Sequence, residues 1–309
     1  MNTLYDILGI SKQYFHQKMN RYNTRKSEAH QLLLIIYQLR EDHPTMGCRD
    51  MYYKLKPEHM GRDAFEQFCK EEKLSVARPK NYRKTTDSSG VIRFDNLLEK
   101  TKVTKLNQVW QSDITYYELN NRFYFITFIL DSFSRRIVGH TISRRLTTEC
   151  TTLPALHKAI HTRKNVNLSG LIFHSDGGGQ YYDQGFLQLT GKHNMINSMC
   201  EYPWENGKAE RVNGVIKNNY LKHRKIQTLE QLEKEVDRSV QLYNAEKPHI
   251  ELQRKSPIEY EEDYICNRQK TDGEKSTTEY NLHPKGLNSP PGCRQKTSGL
   301  NITQEYNCQ

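Results

Sequence analysis

Closely spaced cysteine pairs, long apolar runs and an N-terminal leader pattern are all missing from this 309-residue chain. No apolar stretch approaches the ~18–20 residues that a membrane-spanning helix requires. Residues 1–10 lack the charged start, apolar centre and small-residue end of a secretion signal. The seven cysteines are scattered, odd in number and never spaced as Cys-x-x-Cys. They read as free thiols in a reducing cytoplasm, not as a disulfide framework. His16, His30, Cys48 and Cys69 are too widely spaced for a zinc knuckle. What is in excess is positive charge. Lys plus Arg number 46 against 36 Asp plus Glu, a net +10, which favours a polyanionic partner over a soluble basic protein with none; with nucleic acid as that partner, the expected location is the cytoplasm, with the nucleoid.

The chain divides by texture. Residues 1–27 read as a helix-turn-helix-like module: Leu4, Ile7 and Leu8 share one helical face, Gly9-Ile10-Ser11 makes a turn, and Ser11 caps a second helix through Met19. An ordinary helical hairpin has the same pattern. Residues 28–77 read as a small helical domain. Leu32, Ile35, Ile36 and Leu39 recur at helical spacing, residues 48–55 form the next helix, and residues 62–73 form a third with Phe65 and Phe68 inward. Residues 78–106 are a basic linker. Its Arg78, Lys80, Arg83 and Lys84 suit a phosphate backbone, and equally a solvated tether.

From Gln108 the residues become β-formers. Residues 109–117, 123–130 and 136–142 read as an antiparallel meander with short polar connections. A helix over 147–163, a strand over 170–174, a helix around 186–190, a strand over 195–199 and a long helix over 205–221 follow. A last amphipathic helix spans 229–243. This order is that of an α/β, ribonuclease-H-like core with a mixed five-stranded sheet flanked by helices, assigned to residues 107–262 and preceded by small all-helical modules. Residues 263–309 have little apolar content and read as a disordered tail.

Three acids fall where such a core would bring them together. Asp113 lies in the first strand, in Trp110-Gln-Ser-Asp-Ile-Thr-Tyr116. Asp176 follows the fourth, in His174-Ser-Asp-Gly-Gly-Gly-Gln-Tyr181. Glu210 lies in the long helix, in Glu205-Asn-Gly-Lys-Ala-Glu-Arg211. Singly, each has a plain structural role: a local pair for Asp113, a turn for Asp176, a helix-surface pair with Lys208 or Arg211 for Glu210. Jointly, an acid inside a hydrophobic strand is costly unless paired or metal-bound, and three converging carboxylates suit magnesium. Two such ions ~3.5–4 Å apart serve phosphoryl transfer. Asp131 reads as a turn residue. Arg135 and Arg136 fit either DNA contacts or a pair with Asp131.

These blocks resemble the integrase core of bacterial transposases of the insertion-sequence 3 family, second-frame type, which has a retroviral-integrase-like DDE catalytic core. Leu130-Asp-Ser-Phe-Ser-Arg-Arg-Ile-Val-Gly139, Gln180-Tyr181, Ala209-Glu210, Tyr243-Asn244, Pro248-His249 and Ser256-Pro257 carry the likeness in the family's order. It extends over residues 1–262 and includes residues 43–55. The resemblance implies DNA cleavage and strand transfer at transposon ends, dependent on Mg2+ or Mn2+. Asp113, Asp176 and Glu210 are the implied metal ligands. It also implies a basic residue seven positions after the glutamate, and Lys217 stands there. Glu210, Asn213 and Lys217 would share one helical face, with Asn213 and Lys217 against DNA.

A homo-oligomer on DNA is implied as well, with transposon ends and target as partners and, in some relatives, an upstream-frame partner or a fusion. Two departures stand out. Only 33 residues separate Asp176 from Glu210, two fewer than is usual in the family. The shortfall falls in the loop at 201–204, and Glu205 is a rival third acid whose flanks do not match. Gly177-Gly178-Gly179 is richer in glycine than usual, which would let the backbone turn closely past the metals. A structure-selective nuclease with the same core, or a catalytically inactive DNA-binding relative, are the alternatives.

Overall fold

In the computed structural model, residues 7, 9–76 and 94–279 are described. The chain divides into one unit up to Tyr264 and a second from Ile265 onward. Ser11 does cap a helix, its side chain accepting from the Tyr14 amide at 3.1 Å. That helix, α1 (Lys12–Asp42), does not stop at Met19; it continues unbroken through the place where a second module was expected to begin. Most of the first expected helix, residues 1–6 and 8, lies outside the described residues. α2 (Cys48–Leu55) and α3 (Arg62–Glu71) follow. They close a small core of Ile36, Met46, Met51, Phe65 and Cys69, with Leu32, Leu39 and Phe68 packed at its edge and Ile35 facing solvent.

This helical part is fastened to the larger body by polar contacts. His43 is buried and hydrogen-bonds Tyr220 Oη at 3.2 Å. Lys54 pairs with Glu246 at 3.0 Å, and Arg238 with Asp42 at 2.6 Å.

The larger body is a mixed five-stranded sheet. β1 (Val109–Leu119), β2 (Arg122–Asp131), β3 (Ile137–Ser143), β4 (Ile172–Ser175) and β5 (Ile196–Met199) lie in the order β3-β2-β1-β4-β5. β1–β2 and β2–β3 are antiparallel, while β1–β4 and β4–β5 are parallel. The hairpin between β1 and β2 turns on Asn120 and Asn121, both left-handed at φ 51° and 58°, as a two-residue turn of the primed type requires.

Helices cover both faces. Tyr124, Ile126, Phe128 and Leu130 of β2 pack on Val212, Ile216, Leu232 and Val236, from α6 (Gly207–Val215), the π turn Ile216–Tyr220 that continues it, and α7 (Leu229–Ala245). On the other face Trp110, Ile129 and Val138 meet Ala155, Leu156 and Ala159 of α4 (Thr152–Thr162) and Phe186 of α5 (Gln184–Lys192). The architecture is ribonuclease-H-like.

α8 (Pro257–Glu279) begins within the first unit, where a buried Glu261 accepts from Ser134 Oγ at 2.7 Å, Arg136 Nη1 at 2.7 Å and Arg163 Nη1 at 2.9 Å. Arg136 is thereby committed to Glu261 and Arg135 to Glu251. Neither pairs with Asp131, whose carboxylate instead accepts from the Asn107, Phe133 and Ser134 amides and shapes the turn. The described part of the second unit, residues 265–279, is helical where a disordered tail was expected; residues 280–309 lie outside the described residues. Among the described residues no helix is long and apolar enough to cross a membrane.

Gly139 is where β3 touches α4. A Cβ there would stand 2.2 Å from the Ala155 carbonyl oxygen and 2.8 Å from Ala159 Cβ. Gly139→Ala should therefore cost on the order of 3 kcal/mol in urea unfolding, while Gly179→Ala, with open space around it, should stay within about 0.5 kcal/mol. Equal midpoints for the two variants would contradict this packing.

Candidate active site

Alternation along β1 sorts its side chains by face. Trp110, Ser112 and Ile114 point toward α4 and α5, where Ser112 Oγ and Tyr181 Oη share a buried hydrogen bond of 2.9 Å. Asp113 and Thr115 therefore point the other way, toward α6. The parallel register sets Gln111 opposite His174. Carried two residues further, it brings Asp113 level with Asp176, just past the end of β4, on strands ~4.8 Å apart. Asp113 Oδ2 accepts from Asn213 Nδ2 at 2.7 Å, and Oδ1 from the Ile114 amide at 3.0 Å. Burial, with the charges of Asp176 and Glu210 added, pushes the Asp113 carboxyl up to about 7. Asp176 is also raised, by burial, against a 3.2 Å hydrogen bond from the Gly178 amide.

Glu210 stands in the first turn of α6, where the helix dipole favours an acid, and its side chain is exposed. The three acids are near enough for both others to act on Asp113, but they do not close up. Among the described residues no three His, Cys, Asp or Glu side chains are grouped tightly enough to share one ion.

Asn213 and Lys217 both reach β1 from the helix. Lys217 Nζ donates to Thr115 Oγ1 at 3.2 Å and lies 4.7 Å from the centre of the Tyr116 ring. Burial and the charge of Lys222 weaken its basicity, against the pull of Asp113. Glu205, the rival acid, is occupied elsewhere. Its Oε2 accepts from the Glu201 amide at 2.7 Å and the Tyr202 amide at 2.9 Å, capping the turn Pro203–Asn206. Arg78, Lys80, Arg83 and Lys84 lie outside the described residues.

The three glycines after Asp176 need no left-handed conformation: the described glycines with positive φ are Gly9 and Gly170. Two of them need room instead. A Cβ on Gly177 would approach Met199 Cε to 2.9 Å, and one on Gly178 would approach Asp176 Oδ1 to 3.1 Å.

Asn206 and Thr115 were missed by sequence reasoning. Asn206 is buried and donates from Nδ2 to the Ser112 carbonyl at 2.8 Å, tying the loop before α6 to the strand beside Asp113. Thr115 stands two positions beyond Asp113 on the same strand face. That period-2 position was the one signal that could have singled it out, whereas nothing local marks Asn206.

Two models described as "Integrase core domain" match residues 103–202 and 193–257, together about half of the chain. An insertion element IS600 uncharacterized 31 kDa protein of Shigella sonnei is 27% identical over 270 residues, 84% of this chain and 97% of that one. The transposase for insertion sequence element IS629 of the same organism is 27% identical over 225 residues, 69% of this chain and 74% of that one. Transposase InsF for insertion sequence IS3A of Escherichia coli is 31% identical over 122 residues, 39% and 40% of the two chains. Among solved structures, the HTLV-2 integrase catalytic core domain in complex with magnesium aligns at a TM-score of 0.40 and 22% identity, over 50% of this chain and 95% of that one.

The integrase-core models and the transposase relatives define a polynucleotidyl transferase, and the sheet order and helix placement are ribonuclease-H-like. The chain belongs to the integrase core family, as a DDE transposase of the insertion-sequence 3 type.

The raised Asp113 carboxyl makes a stability prediction with a definite sign. The folded protein holds its proton up to about pH 7, whereas the unfolded chain releases it near 4, so stability falls between those values and is level above them. In chelator, Asp113→Asn should remove most of that fall and make the protein more stable than wild type at pH 8, by on the order of 2 kcal/mol. Urea unfolding at pH 5 and pH 8 measures it; a variant that loses as much stability as wild type across this interval contradicts the placement.

Proposed function

We propose that Asp113, Asp176 and Glu210 are the catalytic carboxylates of this transposase, and that they hold divalent cations, Mg2+ or Mn2+, as a pair of ions. The observation that carries the reading is the parallel register of β1 and β4, which, carried past the end of β4, sets an acid of the central strand beside the one that follows its neighbour and turns the first toward the helix that bears the third. The donor set is all oxygen and anionic, which fits a hard cation, and the weakened acidity of Asp113 is the strain that a cation would relieve. Bound there, the ions would supply Lewis-acid stabilisation of the phosphoryl oxygens and acidify the attacking hydroxyl or water.

The protein's own residues do the rest. Asn213 fixes the orientation of the Asp113 carboxylate through a 2.7 Å hydrogen bond. Lys217, half-buried beside Thr115, presents a cation to a DNA phosphate next to the acids. Tyr202 and Trp204 stack at 4.6 Å between ring centres in the loop before α6, and the exposed indole offers a flat face to a nucleobase. Water attack at a transposon end frees a 3′-hydroxyl, which the same site then directs at a target phosphodiester.

Joining two ends demands more than one active site, so the reading includes a homo-oligomer on DNA. End recognition falls to the N-terminal helices, to the basic linker at 78–106, or to an upstream-frame partner or fusion. A basic chain acting on DNA belongs in the cytoplasm with the nucleoid.

Glu210→Gln should abolish cleavage and joining of a labelled transposon-end duplex, while Lys217→Ala should slow joining about ten- to a hundredfold, equivalent to ~1.4–2.7 kcal/mol. Circular dichroism controls for folding, since Gln and Ala are both good helix formers. Wild-type joining by folded Glu210→Gln would remove Glu210 from the site.

A further inference from the structure

The face of α6 turned away from the three acids carries its own concentration of charge. Glu210, Asn213 and Lys217 occupy one side of the helix and its π turn. Lys208, Arg211, Val212 and Val215 follow one another on another side and line a cavity of about 380 Å3. Its remaining walls bring Arg135, Lys247 and His249, with Asp50 from α2 and Glu251 as the acids.

Those acids are already engaged. Glu251 pairs with Arg135, and Asp50 with Arg254. Lys208 Nζ donates to the Ser132 carbonyl at 3.0 Å, which leaves its charge unmatched. Among the described residues neither Arg211 nor Lys247 has an ion-pair partner. Three cations therefore share one cavity without three anions to answer them.

His249 lies among the same cations. Burial, with Lys247, Arg135 and Arg211 around it, pushes its imidazole down to about 3. Its Nε2 is buried and has no hydrogen-bond partner among the described residues. Such crowding of like charge is unfavourable in the free protein, and a bound anion offsets it. Arg211 offers a planar fork, Lys208 and Lys247 offer compact ammonium groups, and together they suit the tetrahedral oxygens of a phosphate. The Pro248-His249 segment, whose part in this chain the acids leave unexplained, forms one wall.

We propose that this cavity binds a phosphate of the DNA backbone, separate from the phosphate at the three acids, so that α6 is gripped by DNA on two sides. The inference rests on the reading of the chain as an enzyme that acts on DNA. It adds a second anchoring site that would fix the angle at which a duplex crosses the helix. A phosphate bound here is positioned and does not react, since no acid of the catalytic set faces the cavity.

The test uses the full chain and fluorescence anisotropy on a labelled duplex of arbitrary sequence over a series of salt concentrations. Each phosphate contact contributes ~0.9 to the log–log salt slope. Arg211→Gln, at an exposed position, should lower the magnitude of that slope by about one, and Arg211→Gln with Lys247→Gln should weaken binding about tenfold or more. Binding of Mn2+ alone should be the same in wild type and Arg211→Gln. A wild type with no salt-dependent DNA binding would sink the DNA reading itself. A steep wild-type slope left unchanged in Arg211→Gln and in the double variant would overturn the cavity proposal alone. Loss of thermal stability with an unchanged slope would do the same, by showing these cations to be structural counter-charges.

Discussion

One acid on the central strand stands beside another just past the end of its parallel neighbour, and much of the surrounding structure follows from the need to keep them there. A parallel pair cannot be closed by a short turn. The chain must leave β1 through the β2–β3 meander, cross by α4 and return as β4 before Asp176 can arrive beside Asp113. Burial and like charge then make the Asp113 carboxyl a weak acid, and a side-chain amide from α6 holds one of its oxygens. The folded state is less stable for carrying this arrangement, which is the usual relation between a built reactive site and its scaffold.

α6 is the element through which the rest of the molecule reaches those acids. One side of it enters the core through Ala209 and Val212, and the other sides bear Glu210 and Asn213, or Lys208 and Arg211. The helix then passes into a π turn that carries Lys217 toward Thr115 and buries Tyr220, whose hydroxyl meets His43 of the helical part. One stretch of chain is thus in contact with the sheet, the acids and the N-terminal helices.

The sheet was legible in the sequence because its signals are local and redundant. The β-formers of 109–117, the apolar run at 123–130 and the polar Asn120-Asn121 between them each declare a strand or its end. Asp113, Asp176 and Glu210 stood out only jointly: each alone has a plain structural role, but a strand, a strand end and a helix that such a fold brings together leave fewer alternatives for all three. Less was legible where structure depends on contacts remote in sequence. α1 runs on to Asp42 through residues 20–27, where Asn20, Asn23, Thr24 and Ser27 favour turns on propensity alone. The turn over Ile216–Tyr220 leaves no periodic trace. Arg136 was weighed as a DNA contact or a partner of Asp131. Its partner, Glu261, lies 125 residues away, and no local pattern joins them. The cationic cavity is of the same kind, assembled from four separate segments.

The central claim concerns three carboxylates and a divalent cation, and metal-directed cleavage of the protein's own backbone tests it most directly. Ferrous iron replaces Mg2+ at oxygen-ligand sites, and with peroxide and ascorbate it releases hydroxyl radicals that cut the nearest peptide bonds. Cuts close to Asp113, Asp176 and Glu210, suppressed by excess Mg2+ and lost in Asp113→Asn, are the expected result. Cuts elsewhere in the chain, or cuts that persist in both controls, would contradict the assignment of the metal site to these three residues.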